Sequence, residues 1–171
     1  MKVITFSRFY PAYHPRKGEP TEFIEKIWKG VYEDSSDVPF PHELAGVWSA
    51  YCEMDNLIPK YHTIRAGNRW KVGDWFSPRV WSGKPYKSKQ IEFAPPIQVK
   101  KVWELEIEVG KKYWFFKLNG EDISNEKENF NIDEFTELLA KNDGLLLSDF
   151  LNWFPKSFTG QIICWNDKIE Y

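Results

Sequence analysis

The side chains best suited to chemistry lie in one short segment, Lys60-Tyr61-His62-Thr63-Ile64-Arg65. A lysine amine becomes a base or a nucleophile only when burial or nearby positive charge lowers its pKa, and Arg65 supplies such a charge. A carboxylate beside the amine would oppose this effect and keep it charged. The Lys-x-x-Thr spacing is short and occurs by chance in many proteins, so an exposed Lys60 without a catalytic role is the alternative.

Strand and turn signals surround this segment. Pro59 disfavours helix at the residue before it, so the chain is expected to enter Lys60 extended and to continue as a strand to Arg65. Side chains alternate along a strand, which places Thr63 and Arg65 on one face. The Lys60 side chain would then project from the preceding loop, close to the strand face that carries Thr63 and Arg65.

The remaining pattern predicts strands around a few helices. It is clearest from Val102 to Val109, where Trp103, Leu105 and Ile107 alternate with glutamates. Further strands are predicted at 3–6, around 76–80, at 113–118 and at 161–165, with helices at 42–54 and from 131 to about 142. A short apolar turn is expected from Ser148 to Phe154.

A helix is also predicted after Thr21, a plausible N-cap. Its apolar residues fall at helical spacing on one face. The same spacing predicts that the charged residues face water, namely Glu22, Glu25, Lys26 and Lys29.

Length and composition restrict the number of domains, the expected compartment and the expected ligands. The 171 residues suit one domain with its own core, and 18% of them are aromatic, as in many β-rich cores. Net charge is −2, so any nucleic-acid contact should be local. Cys52 and Cys164 are too few for a disulfide framework, and no secretory or membrane-spanning run is evident, so we expect a cytoplasmic protein without a membrane partner. The three histidines lack metal-site spacing, so no metal or other cofactor is expected.

These signals favour an α+β domain built on a small, mixed or mainly antiparallel β-barrel. Several of them also resemble, in chain order, the ASCH domains of the PUA-like superfamily. The matching segments are Ile4-Thr5-Phe6, the helix ending at Gly30, Lys60-x-x-Thr63-Ile64-Arg65, Gly73-Asp74, Ile107-Glu108-Val109, Glu128-Asn129 and the strand from Gln161 to Trp165. The resemblance implies a PUA-like barrel flanked by helices, one domain over 1–171, with insertions near 34–58 and 78–98.

The resemblance also implies candidate roles. Small bacterial members of that family hydrolyse N4-acetylcytidine to cytidine and acetate with a lysine, a threonine and a glutamate, which would be Lys60, Thr63 and Glu128 here. Thr63 and Lys60 would form a nucleophile and base pair, or Lys60 would activate water, and Glu128 would move a proton to the leaving amine. The alternative for Glu128 is a favourable charge just before a helix.

The expected ligand is RNA or a modified nucleoside, held in a cleft lined by lysine, threonine, arginine and glutamate. Arg65 would bind an oxyanion or a phosphate, and aromatic rings would stack on a base. The candidate substrate-binding residues are Arg65, His62, Trp70, Trp81 and Lys84. For His62 a surface strand position, and for Lys84 a solvated loop, are the alternatives. Two other functions stay open: a binding module for RNA or a modified base that has no enzymatic activity, and a single-stranded RNA nuclease.

Overall fold

A computed structural model of the protein describes residues 1–32, 56–110, 114–123 and 132–171. The predicted helix at 42–54 lies outside these residues. The strands are β1 (Lys2–Phe6), β2 (His62–Ala66), β3 (Trp75–Trp81), β4 (Gln90–Glu92), β5 (Ile97–Gln98), β6 (Lys101–Val109), β7 (Trp114–Leu118), β8 (Glu121–Asp122) and β9 (Phe158–Cys164). The helices are α1 (Phe23–Tyr32), α2 (Ile132–Asn142) and α3 (Leu147–Trp153). The predicted α+β class is confirmed.

The strands form two sheets. One has the order β1-β3-β4, with β5 also pairing with β3, and β1 runs parallel to β3. The other has the order β2-β9-β6-β7-β8 and is antiparallel throughout. Over the described ranges these sheets do not close into one barrel. The β2–β9 pairing places Thr63 opposite Ile163 and Arg65 opposite Gln161.

The alternation predicted for β6 is confirmed. Trp103, Leu105 and Ile107 are buried, whereas the intervening glutamates are exposed. The two sheets meet through aromatic rings after β9, where the Trp165 ring centroid lies 6.3 Å from that of Phe6 and 5.8 Å from that of Phe76. These contacts join β1 and β3 to the second sheet beside the start of β2.

The prediction that the charged residues of α1 face water is wrong for Glu25 and Lys26, which are 2% and 8% exposed. The reason is that chain segments pack on more than the apolar face of the helix. Lys26 Nζ donates to the Thr21 carbonyl (3.0 Å), and the Lys26 carbonyl accepts from the Lys60 backbone N–H (2.9 Å). No helix in the described part of the chain is long and apolar enough to cross a bilayer.

Candidate functional site

A cavity of about 310 Å³ lies between β1, β2 and the end of α3. This volume is at the lower end of the range of small-molecule sites, roughly 300–1,000 Å³, so it suits one small ligand. Its polar lining includes Lys60, Thr63, Arg65 and Asp143, and its rings are those of Phe6, Phe23, Trp81, Tyr86, Trp153 and Phe154.

A wider depression of about 460 Å³ lies on the outer face of β6 and β7. Three of its charged residues, Glu106, Glu108 and Lys117, are exposed, as expected of a solvated sheet face. The smaller cavity differs because it contains buried charged groups. Burying a charge costs free energy, and such groups cluster at functional sites. We take it as the candidate site.

The backbone of Lys60 is held by three parts of the fold. Its N–H donates to the Lys26 carbonyl on α1, its carbonyl accepts from Trp165 Nε1 (3.1 Å), and it forms an isolated β-bridge with Asp143. Helix α1 approaches so closely that a Cβ on Gly30 would lie 2.3 Å from the Lys60 carbonyl oxygen. The position of the amine is therefore fixed by the surrounding tertiary structure.

The Lys60 side chain forms an ion pair inside the fold. Its Nζ lies 2.5 Å from Asp143 Oδ1 and 2.6 Å from the Asp143 carbonyl oxygen, to both of which it donates. The same nitrogen lies 4.2 Å from the centroid of the Phe23 ring, a cation–π contact. Lys60 and Asp143 are only 1% and 5% exposed, so little water screens the pair.

Burial lowers the pKa of Lys60 to about 8, and the Asp143 carboxylate limits this fall. Burial likewise raises the pKa of Asp143, while the charges of Lys60 and Arg65 oppose that rise. At pH 7 Lys60 is therefore mainly an ammonium and a hydrogen-bond donor. Above a pH of about 8 it becomes a free amine, which can act as a base.

The sequence patterns do not single out Asp143, which directly follows the helix predicted from 131 to about 142. A carboxylate directly after a helix C-terminus opposes the macrodipole, which favours cations there. An aspartate at that position is thus a weak sequence signal for a role outside the helix. The structure supplies the role, because the chain reverses after α2 and brings the carboxylate to Lys60.

Thr63 and Arg65 lie on the predicted shared face of β2 and both line the cavity. Thr63 is 5% exposed. The Arg65 Nη2 donates to the Thr5 carbonyl on β1 (3.0 Å), and its guanidinium carbon lies 5.2 Å from the Phe6 ring centroid. The structure therefore brings together three of the residues that the sequence singled out, Lys60, Thr63 and Arg65.

His62 lies on the other face of β2, away from the cavity. The Leu139 carbonyl can only accept, so His62 Nε2 (3.2 Å) carries the proton and Nδ1 accepts from the Tyr171 hydroxyl (3.0 Å). Burial and the charge of Lys60 lower the pKa of His62, which keeps the ring neutral. His62 supports the core behind the Lys60–Asp143 pair and does not reach the cavity that we describe.

Of the remaining candidate site residues within the described ranges, one lines the cavity and two do not. Trp81 lines the cavity, and its ring centroid lies 5.4 Å from that of Tyr86 at the rim. Trp70 is instead buried at 3% exposure against Phe76 and does not line the cavity. Lys84 is exposed on the loop that carries Tyr86 and is not part of the lining. Glu128 lies outside the described residues.

Within the described ranges, no group of three or more histidine, cysteine, aspartate or glutamate side chains is arranged to hold a metal ion. The polar groups of the cavity suit hydrogen bonding and proton transfer to an organic ligand. Comparison of the chain with protein-family models, curated proteins and solved structures gave no significant match.

Proposed function

We propose that the cavity binds the base of a single nucleoside, free or within a single-stranded RNA, and that the chain is an ASCH-like domain with a PUA-like fold. The observation that carries this proposal is the buried Lys60–Asp143 pair at the side of a small cavity with aromatic walls. Aromatic faces stack on bases of any sequence, while fixed donors and acceptors read the edge of one base.

The polar groups offer complementary contacts to such an edge. The Lys60 ammonium and the Arg65 guanidinium donate hydrogen bonds, the Asp143 carboxylate accepts them, and the Thr63 hydroxyl does both. The cytosine edge presents two acceptors, the O2 carbonyl and N3, and one donor, the exocyclic N4 amine, which matches this mixture. The cavity volume of about 310 Å³ leaves no room for a stack of several bases.

Hydrolysis of an N4-acylated cytidine is the second candidate function. It is favoured by the low pKa of Lys60, about 8, on an amine that shares the cavity with Thr63. In the proposed reaction, neutral Lys60 takes the proton of the Thr63 hydroxyl, whose oxygen attacks the acyl carbon. The C–N bond then breaks as a neighbouring carboxylic acid passes on to the cytidine amine the proton that Lys60 took up. Water then hydrolyses the acyl-threonine and releases the acyl group as a carboxylate. In the alternative, Lys60 activates that water directly and Thr63 only orients the substrate.

Two carboxylates are candidates for proton transfer in this reaction. The resemblance assigns the role to Glu128, whereas Asp143 is the carboxylate that contacts Lys60 in the described structure. Asp143→Asn and Glu128→Gln each remove a negative charge and keep the side-chain shape. Comparing their single-turnover rates assigns the proton transfer to the residue whose replacement slows hydrolysis by about 100-fold or more.

The test of the proposed function is incubation with N4-acetylcytidine, followed by chromatography for cytidine, alongside a binding titration and a cleavage assay with labelled single-stranded RNA. Thr63→Val removes the hydroxyl and retains the shape, and Thr159→Val on the exposed side of β9 is the matched control. Release of cytidine by the wild type and by Thr159→Val, with loss in Thr63→Val, supports hydrolysis that requires the Thr63 hydroxyl, as nucleophile or as the group that orients the substrate.

Other outcomes separate the alternatives. Binding without turnover supports the module that only binds a base, and shortened RNA supports the nuclease. A wild-type protein that neither binds nor converts nucleosides or RNA contradicts the proposed function.

A further inference from the structure

The cavity carries more positive than negative charge. Of the charged residues that line it, Lys60 and Arg65 are cations and Asp143 is the carboxylate. The Asp143 Oδ1 is already engaged by Lys60 Nζ at 2.5 Å. Its charge acts on Arg65 only from a distance, as the carboxylate that raises the guanidinium pKa against the effect of burial.

The direct contacts of the Arg65 guanidinium are with neutral groups. Nη2 donates to the Thr5 carbonyl and the carbon of the group faces the Phe6 ring. Arg65 Nε is buried and has no hydrogen-bond partner in the described part of the protein. An unpaired buried donor is unfavourable, and more so when it is charged, so Arg65 is a cation whose hydrogen bonding is incomplete.

We infer that the ligand of this cavity is a nucleotide and not a neutral nucleoside, with its phosphate on the Arg65 guanidinium and its base at Lys60 and Thr63. The inference rests on the proposed function. A planar guanidinium pairs with two phosphate oxygens at once. A bound anion would also balance the positive charge in the cavity that Asp143 does not neutralise.

The surroundings of the cavity fit an entering anion. The loop from Ser82 to Lys89 carries Tyr86, which lines the cavity, together with the exposed lysines Lys84, Lys87 and Lys89. Positive charge on such a loop raises the local concentration of an anionic ligand, although the whole chain has a net charge of −2. The lysines of this loop would therefore attract an anionic ligand, and Lys84 would not need to enter the cavity to do so.

The experiment is a calorimetric titration at low salt with four probes: N4-acetylcytidine, its 5′-monophosphate, its 3′-monophosphate and inorganic phosphate. A trinucleotide with N4-acetylcytidine in the centre tests whether a backbone phosphate serves in place of a terminal one. Each probe is titrated into wild type, Arg65→Gln and Arg65→Lys. Arg69→Gln is the matched control, because Arg69 is an exposed arginine nearby that does not line the cavity.

We expect at least one phosphorylated probe to bind about 10-fold or more tightly than the nucleoside. This advantage should vanish in Arg65→Gln, shrink in Arg65→Lys because the planar fork is lost, and persist in Arg69→Gln. Circular dichroism and thermal melting check that each variant folds.

Equal binding of nucleoside and phosphorylated probes by the wild type overturns the inference and leaves the proposed function standing. So does a phosphate advantage that survives in Arg65→Gln. If neither nucleoside nor nucleotide binds, both fall together. Tight binding of inorganic phosphate with no contribution from the nucleoside also contradicts the inference, because the base would then be irrelevant.

Discussion

Removing one partner of the Lys60–Asp143 pair should destabilise the fold far more than removing both. In Asp143→Leu, the ammonium keeps only the backbone carbonyl at 2.6 Å and the Phe23 ring at 4.2 Å. In Lys60→Met, the Asp143 carboxylate is left at 5% exposure without its 2.5 Å partner. The double variant replaces both charges of the pair by apolar groups, so neither partner is left as an unpaired ion.

The magnitude follows from the burial of the pair. Breaking a buried ion pair by removing one partner costs about 3–5 kcal/mol of unfolding free energy, whereas replacing both is often neutral or stabilising. The loss of unfolding free energy in Asp143→Leu should not exceed about 5 kcal/mol. The unpaired Lys60 can release its proton, and discharging a lysine of ordinary pKa at pH 7 costs about that much. For a chain of 171 residues, a loss of this size lowers Tm by about 10 °C.

Urea unfolding at pH 7 provides the assay, with all four proteins measured in parallel. We expect each single variant to lose about 3–5 kcal/mol and the double variant to lie within about 1 kcal/mol of the wild type. The deficit of Asp143→Leu should shrink from pH 7 to about pH 8, because the unfolded chain then holds a proton that the folded variant has released, so its unfolding free energy rises with pH. Above about pH 8 the wild type releases the same proton, so the deficit should stay constant. Single losses below about 1 kcal/mol, or losses that simply add in the double variant, would refute the reasoning.

Three further predictions concern the neighbourhood of this pair. Gly30→Ala should cost about 1–3 kcal/mol by calorimetry, because its Cβ would lie 2.3 Å from the Lys60 carbonyl oxygen, while Gly83→Ala, with its nearest atom at 3.6 Å, should change little. Equal effects of the two alanines would contradict this. Tyr171→Phe should cost about 1–3 kcal/mol in urea unfolding because His62 Nδ1 loses the hydroxyl donor at 3.0 Å, and an unchanged midpoint would show that the bond is unimportant. If neutral Lys60 is the base, the hydrolysis rate should fall about tenfold per pH unit below its pKa of about 8, and a flat profile from pH 6 to pH 8 would exclude that role.

Local patterns predicted much of the fold. The alternation along β6 and the strand at β2 follow from side-chain periodicity, which sequence shows directly. The parallel pairing of β1 with β3 joins Lys2 to Phe76, and no local pattern specifies a partner so distant in the chain. The segment expected to be an apolar turn forms α3, because its apolar residues pack as a helix against α2 and the aromatic cluster at Phe23.

Only the part of the candidate site that lies on one face of β2 could be predicted from the sequence. Thr63 and Arg65 share a cavity because alternation places them together, and the same alternation places His62 on the opposite face. Asp143 is separated from Lys60 by 83 positions, so only the tertiary fold brings its carboxylate to the amine. Trp70 illustrates the same limit, since its burial against Phe76 depends on how the sheets pack.

The most direct test of the central claim is a crystal structure of the protein grown with saturating N4-acetylcytidine 5′-monophosphate. We expect density for the base in the cavity, within about 3 Å of Lys60 Nζ or Thr63 Oγ1, with the phosphate against Arg65. An empty cavity at saturation, or a nucleotide bound on another face of the protein, would contradict it.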